Sequence, residues 1–513
     1  MASVPAPQPE MNKWWVATAI LTGQLTTSFG MFAVVVALPK IMTSFGANIN
    51  TIQWVMTGYL ISRAVPMPAL GWMTGLVGRR NLYVFGLLGA TACNVLCGLS
   101  WSMESLIFFR VMQGVLGGLA MGLVLLVGSL GPTIGPTLGG YLVQEISWRA
   151  IFFLALSSGI ASILLTFAII PKDVPQGGKT VDIPGLLTMT VFLVALLLAL
   201  TQGQREGWTS SYILTLFTIA IVFFVLFIVI ERVVPHPVVH LRLYRNFSFV
   251  AASVVVFLYN AGFIGTNFLV ALMLQVVFNF TPLQAGLILA PGAIVMGWIG
   301  LIAGRLSDRI DPRIPVLVGL ASFALDMYFF SSLTLLSGIG LVTLLVIAQR
   351  GAFGLIQSPL NNALMRTLPP DDRNMGSGLH GVHRGVAAAF GVALCSLLLE
   401  KRVAVHGVLL GQHHDRFALP VEQSLDAFGH FLVQAGEVPQ QAAAKSMAAL
   451  GQVYANHIRM SAYADCFLLL AIAFILALLP AYLMRDRAEQ PQQAATPKAV
   501  PSDALKPGTV RSA

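Results

Sequence analysis

The stretch Tyr212–Ile230, YILTLFTIAIVFFVLFIVI, carries no charge and no polar side. As a helix it reaches about 28 Å, close to the thickness of bilayer hydrocarbon. A helix that is apolar all round has no face to turn toward water, so lipid is the solvent it fits. Comparable stretches recur near 14–38, 54–74, 82–100, 104–118, 119–143, 149–170, 183–201, 211–231, 247–277, 284–303, 314–334, 338–361, 376–399 and 462–484. The pattern predicts an all-α polytopic membrane protein with fourteen spans. A soluble multidomain chain is excluded, because 56% hydrophobic against 10% charged residues would leave very large apolar patches in water.

Orientation follows from the basic residues of short loops, which stay cytoplasmic. Loops with Arg79/Arg80, Lys172/Lys179, Arg232/Arg242/Arg245, Arg305/Arg309/Arg313 and Arg366/Arg373, and the tail with Arg485/Arg487, are expected inside, with both termini. The opposite loops TSFGANINTIQ, NFTPLQ and LLSGIG carry no Lys or Arg, and TQGQREGW has Arg205 alone. The net charge of +9 therefore reports orientation in a cell (inner) membrane, not nucleic-acid binding. No charge lies between Arg110 and Glu145, and the sidedness of later loops requires two crossings there, with a reversal expected near Gly117-Gly118. The fourth span, 104–118, is then shortened: Ser105 to Gly118 reaches only about 21 Å as helix.

The first apolar stretch is of full span length and is expected to be retained rather than cleaved as a signal. Cys93, Cys97, Cys395 and Cys466 fall in apolar segments, where cysteine behaves as a small hydrophobe, and no disulfide is expected. The histidines between 400 and 461, including HGVLLGQHHD, lack a helical His pair with a carboxylate, so no metal site is read there. No Gly-rich phosphate loop ending in Lys-Ser/Thr is present, so ATP is not the direct energy source and no cofactor is expected. PQQAAAKSMAALGQVYANHIRM reads as a helix leading into the last span, and the Pro/Ala/Gln-rich tail as disordered.

Glycine spacing in the fifth stretch is the sharpest motif: Gly122, Gly131, Gly135-Pro136 and Gly139-Gly140. Small residues let helices approach closely, and Gly and Pro permit a bend. GWMTGLVGRRN (Gly71, Gly78, Arg79, Arg80) and GRLSDRIDPR (Gly304, Asp308, Arg309) form an internal repeat of one loop. LIFFRVMQGVLGG carries Arg110, Gln113 and Gly114; VALPKI and NNALMRTLPPDDRNMGSGLHGVHRGVAAAFGVAL complete the set. From Trp14 to Arg485 the chain resembles the major facilitator superfamily, in its fourteen-span drug:proton antiporter branch. The resemblance implies two six-helix bundles, 14–170 and 247–484, with two inserted helices within 171–246. It also implies a cytoplasmic N-terminus 1–13, an external loop 400–461 and a tail 485–513. Residues 122–140 would be its antiporter motif, and the paired loops, through Asp308, a conformational latch. Three departures stand out. Gly75 occupies the position of the family's acidic residue in the first loop. The Asp and Asn usual in the first span fall on Gly30 and Val35. About 20 residues of the resembled fourth helix and following loop are missing by span-length arithmetic.

Ionisable side chains inside spans are costly and are functional candidates by default. Asp326, near the middle of the eleventh span, and Arg110 are the proton-coupling candidates. Arg63, Arg350, His380, His383 and Arg384 follow, His380 and His383 sharing one helix face. For a substrate cavity the candidates are Gln24, Thr26, Thr27 and Met31 on the first span, Trp54 and Tyr59 on the second, and Tyr259, Asn260, Asn267 and Gln275 on the ninth. Amide, aromatic and Met surfaces adapt to amphipathic molecules. The expected function is export of amphipathic or hydrophobic compounds by proton antiport through alternating access, with small molecules, protons and the bilayer as partners and a periplasmic adaptor as a further one. Two other readings stand beside it: a dedicated exporter of an endogenous metabolite or lipid, and a non-transporting member with a truncated fourth span.

Overall fold

The computed structural model describes residues 13–28, 33–47, 49–67, 69–121, 138–139, 141–170, 182–235, 237, 239–368, 373–412 and 425–484. Among them eleven helices are long and apolar enough to cross a membrane. The expected first span corresponds to α1 (Lys13–Ser28) and α2 (Val34–Phe45), and the second to α3 (Ile49–Ala64) and α4 (Leu70–Val77). The break between α3 and α4 falls at Pro66, which cannot donate the backbone hydrogen bond a helix needs. The half continues with α5 (Arg79–Gly98), α6 (Met103–Met121) and α7 (Ala150–Ile169). Of the fifth expected span, residues 122–137 and 140, with Gly122, Gly131, Gly135, Pro136 and Gly140, fall outside the described residues; Gly139 is helical, and a Cβ there would lie 2.7 Å from that of Ala33.

Next come the inserted pair, α8 (Ile183–Glu206) and α9 (Ser211–Val233), and a 3-10 turn at Leu241–Arg245. The second half comprises α10 (Phe247–Val276), α11 (Pro282–Ser307), α12 (Arg313–Ser331), α13 (Ile339–Arg366), α14 (Arg373–Gln412) and α15 (Pro439–Leu483). Local sequence sets several starts. Asp182 accepts from the Gly185 amide at 2.8 Å, Asn246 from the Ser248 amide at 3.1 Å, and Thr281 with Gln284 forms a reciprocal capping box at the head of α11. On α9, Ile221, Val225 and Val229 remain exposed because lipid is their solvent.

The same packing pattern occurs in both halves. Helix α6 packs on α3 and α5, as α13 packs on α11 and α12; α7 packs on α1 and α5, as α15 packs on α10 and α12. In the first half, Ser162 of α7 donates to the Ala19 carbonyl of α1 at 2.7 Å and meets the Tyr83 hydroxyl of α5 at 3.1 Å. The inserted α8 touches α3 of one half and α14 of the other.

One expectation is corrected. Helix α6 has 19 residues and runs through Gly117-Gly118 to Met121, about 28 Å. It is neither shortened nor reversed at the glycine pair. The physical reason is packing. A Cβ at Gly118 would lie 2.8 Å from Pro66, and one at Gly86 of α5 would lie 2.7 Å from the Leu116 carbonyl and the Ala120 amide. Glycine here lets backbones touch and does not turn the chain. The connection 400–461 also differs from a loop: α14 has 40 residues and α15 has 45, about 60 and 68 Å of helix, well beyond one bilayer.

Candidate functional site

The site is built from the repeated helix pairs. In the first half Arg110 of α6 is fully buried. Its Nε donates to the Val55 carbonyl of α3 at 3.0 Å, one terminal nitrogen donates to Gln113 Oε1 at 2.7 Å, and the guanidinium lies 4.1 Å from the Tyr59 ring centroid. Gln113 in turn donates to Asn94 Oδ1 on α5 at 2.7 Å, and Asn94 donates to the Ala90 carbonyl at 3.1 Å. No carboxylate lies within ion-pair distance of Arg110 among the described residues. A carbonyl, an amide and an aromatic face hold the charge instead, a way of keeping a cation in a dry interior without neutralising it.

Arg350 of α13 occupies the matching place in the second half. Gly114, four residues past Arg110, sits so close to α3 that a Cβ would lie 2.6 Å from the Tyr59 carbonyl and 3.2 Å from the Arg63 amide. Gly354, four past Arg350, would place one 2.7 Å from the Met296 carbonyl and 3.1 Å from the Gly300 amide of α11. Arg350 donates to Asn267 of α10 and lies 5.0 Å from the Phe263 ring centroid, while its Nε and other terminal nitrogen have no partner among the described residues. Asp326 of α12 is 4% exposed, and neither carboxylate oxygen has a hydrogen-bond partner among the described residues. It lies seven residues beyond Gly319, the position where α12 meets the Ala352 carbonyl and Ile356 of α13. Helical spacing therefore turns Asp326 toward the α13 face that also carries buried Gln349, whose amide nitrogen is likewise unpartnered.

The halves meet where α14 presses on the end of α3. A Cβ at Gly378 would lie 2.9 Å from the Met67 carbonyl, one at Gly381 would lie 3.0 Å from the Met67 sulfur, and one at Gly385 would lie 3.8 Å from the Ala64 Cβ. Beside this seam His383 shares a 3.0 Å hydrogen bond with the Tyr244 hydroxyl. A void of about 10 Å³ lies between α10, α13 and α14, where Tyr259, Asn260, Asn361, His380 and Arg384 line it. At the other end, a cavity of about 370 Å³ opens between α3 and the inserted pair, lined by Thr51, Trp54, Gln202, Arg205, Glu206 and Tyr212.

The candidates predicted from sequence separate accordingly. Tyr59 supports Arg110, and Asn267 holds Arg350. Tyr259 and Asn260 line the void, Tyr259 also stacking on Phe353 at 4.5 Å. Gln275 is exposed and hydrogen-bonds its own helix at Ala271. Gln24 and Thr26 are buried in α1, Thr26 meeting Ser158 of α7 at 2.9 Å. The Thr27 side chain and Met31 fall outside the described residues. Asp308 is largely exposed and approaches Arg366 at 4.0 Å, while Arg366 also donates to the Ser307 carbonyl at 3.3 Å; together they tie α13 to the end of α11 within one bundle. In the first loop Arg80 donates to the Phe167 carbonyl at the end of α7 at 3.1 Å, Gly78 adopts φ +83°, and Gly71 lies in α4. Arg79 begins α5, Gly304 lies in the last turn of α11, and Arg309 follows it. Sequence reasoning missed Asn94 of the Arg110 network, and Gln357 and Asn361, which both line the void; an isolated amide inside an apolar span was the signal available.

Two helix bundles related by an internal repeat, each with a buried arginine at a matching place and joined by a glycine-faced seam, define a polytopic membrane transporter. The sequence model of the Major Facilitator Superfamily matches residues 20–392, and the chain belongs to that superfamily. It is 25% identical over 434 residues to the multidrug export protein EmrB of Escherichia coli (strain K12), across 79% of this chain and 85% of that protein. It is 28% identical over 419 residues to the multidrug resistance protein Stp of Mycobacterium tuberculosis (strain ATCC 25618 / H37Rv), across 76% of each. The crystal structure of the human organic anion transporter MFSD10 (TETRAN) has the same fold, with a TM-score of 0.54 at 15% identity over 92% of this chain and 100% of that one.

Proposed function

We propose that the chain is an exporter of amphipathic compounds that works by alternating access and is driven by proton antiport. The observation carrying this reading is the seam: a glycine face of α14 against Ala64 and Met67 is a contact two bundles can make and break as bodies, because small residues interlock no side chains. The names of relatives similar over most of the chain, multidrug export and resistance proteins, support the drug-export side. Proton coupling is assigned to Asp326, a carboxyl group among apolar neighbours that can take and release a proton as access alternates, with Arg110 as a fixed charge that couples to its own bundle. On the loop-charge rule the seam faces the cytoplasm, both termini lie inside the cell, and the membrane is the inner one. The long extensions of α14 and α15 then project outward, where exposed Val408, Met447 and Val453 offer an apolar surface for an adaptor.

A dedicated metabolite or lipid exporter is the second reading, favoured by the absence of a first-span carboxylate. The truncated fourth span that motivated a non-transporting reading is not there. The test is transport by purified protein in proteoliposomes with and without a pH gradient. Gradient-driven transport that Asp326→Asn makes independent of pH is the expected result; transport indifferent to the gradient in the parent protein would refute the antiport step.

A further inference from the structure

The void between α10, α13 and α14 is unusual in its chemistry. Its polar lining is rich in donors and carries positive charge. Tyr259 and His380 are each 2% exposed, and neither the Tyr259 hydroxyl nor either His380 ring nitrogen has a partner among the described residues. Arg384 and Asn361 line the same space, and no hydrogen bond or ion pair involves either among the described residues. Arg384 adjoins Gly385, where a Cβ would lie 3.8 Å from the Ala64 Cβ of α3, at the seam between the bundles. Among the described residues no carboxylate lines the void: Asp465 is engaged at 2.8 Å by His406 and at 3.5 Å by Arg402, and Asp326 lies on α12, which does not line it.

A buried water is the plain alternative, since a void of about 10 Å³ holds one. One water accepts too few hydrogen bonds to serve a hydroxyl, an imidazole, an amide and a guanidinium together, and it carries no charge to balance Arg384. A carboxylate does both: it accepts about four hydrogen bonds and makes charge-assisted ones with a guanidinium. Arg384 lines the void and is followed by Gly385, which faces Ala64 at the seam that must part when the bundles separate.

We propose that Tyr259, Asn361, His380 and Arg384 form a recognition site for an organic anion, an amphipathic carboxylate, on the translocation path. This rests on the transporter reading above and names its substrate class. The donors select the anionic head, and the apolar and aromatic wall of α10 and α13, with Tyr259 stacked on Phe353, accepts the tail. A substrate cation would meet Arg384 with no carboxylate on the described lining to offset it.

The test is equilibrium binding of dansyl-undecanoate to the purified full chain in detergent, followed by dansyl fluorescence, beside its neutral amide and a dansyl quaternary-ammonium analogue. The parent protein is expected to bind the carboxylate at least tenfold more tightly than either analogue. Arg384→Gln should weaken the carboxylate by about 10- to 100-fold and leave the amide within about twofold, the loss expected of one buried charge-assisted hydrogen bond. Arg384→Lys should retain most of the binding. Arg384→Asp should invert the preference toward the ammonium, a gain that no unfolded variant produces. Equal binding of all three probes by the parent, or Arg384→Asp without inversion, overturns the site. Transport of the ammonium analogue without carboxylate binding refutes this site and leaves the exporter standing; carboxylate binding without transport in proteoliposomes refutes the exporter and leaves the site.

Discussion

Gly114→Ala tests whether close approach of α6 to α3 holds the buried arginine. The added Cβ would fall 2.6 Å from the Tyr59 carbonyl oxygen and 3.2 Å from the Arg63 amide. Both are backbone atoms of one helix and cannot rotate away. Restoring an ordinary contact of about 3.4 Å moves α6 away from α3 by about 0.8 Å, and the 3.0 Å bond from Arg110 to the Val55 carbonyl, one turn along the same interface, stretches beyond hydrogen-bond range. Overpacking costs about 1–3 kcal/mol and the lost bond to a charged group about 1.5–3 kcal/mol. The sum, about 2.5–6 kcal/mol, should lower the thermal midpoint of the purified protein by at least about 5 °C. Gly75→Ala is the control, because a Cβ there meets nothing within 4 Å and the helix α4 gains propensity. Both variants would be followed by thermal unfolding in detergent. Equal midpoints for the two, within about 1 °C, would refute the argument that glycine at 114 is required by helix approach.

Further expectations concern the seam and the polar network. Ala64→Cys with Gly385→Cys places two Cβ atoms about 3.8 Å apart, within disulfide range; oxidation should crosslink the bundles and stop transport in proteoliposomes, and reductant should restore it, whereas a crosslinked protein that transports normally would show that the seam does not open. Gln113→Leu strands both Arg110 and Asn94 and should destabilise by about 2–4 kcal/mol with loss of transport; a double variant with Asn94→Leu should recover part of the stability, and no recovery would place the loss elsewhere. Asn267→Leu removes the hydrogen-bond partner of Arg350 and should reduce transport more than it reduces the thermal midpoint, measured on the same preparation.

The patterning of apolar residues determined the class of this protein by itself, because hydrocarbon forces every backbone polar group to be satisfied within a helix and leaves few alternatives to a bundle of spans. The repeated loops at Gly71–Asn81 and Gly304–Arg313 were equally legible, and so was Arg110, a charge where charge is expensive. Partners were not. A glycine in a span reads the same whether it turns the chain or lets two helices touch, and only the close approach of Gly118 to α3, and of Gly86 on α5 to the α6 backbone, decided that α6 runs on through its glycine pair. The tertiary structure also decided that Tyr59 supports an arginine while Tyr259 lines a void, and it brought His380, Arg384 and Asn361 together from two helices. Such convergence depends on which faces meet at angstrom separation, and a one-dimensional periodicity fixes which residues share a face without fixing what that face meets.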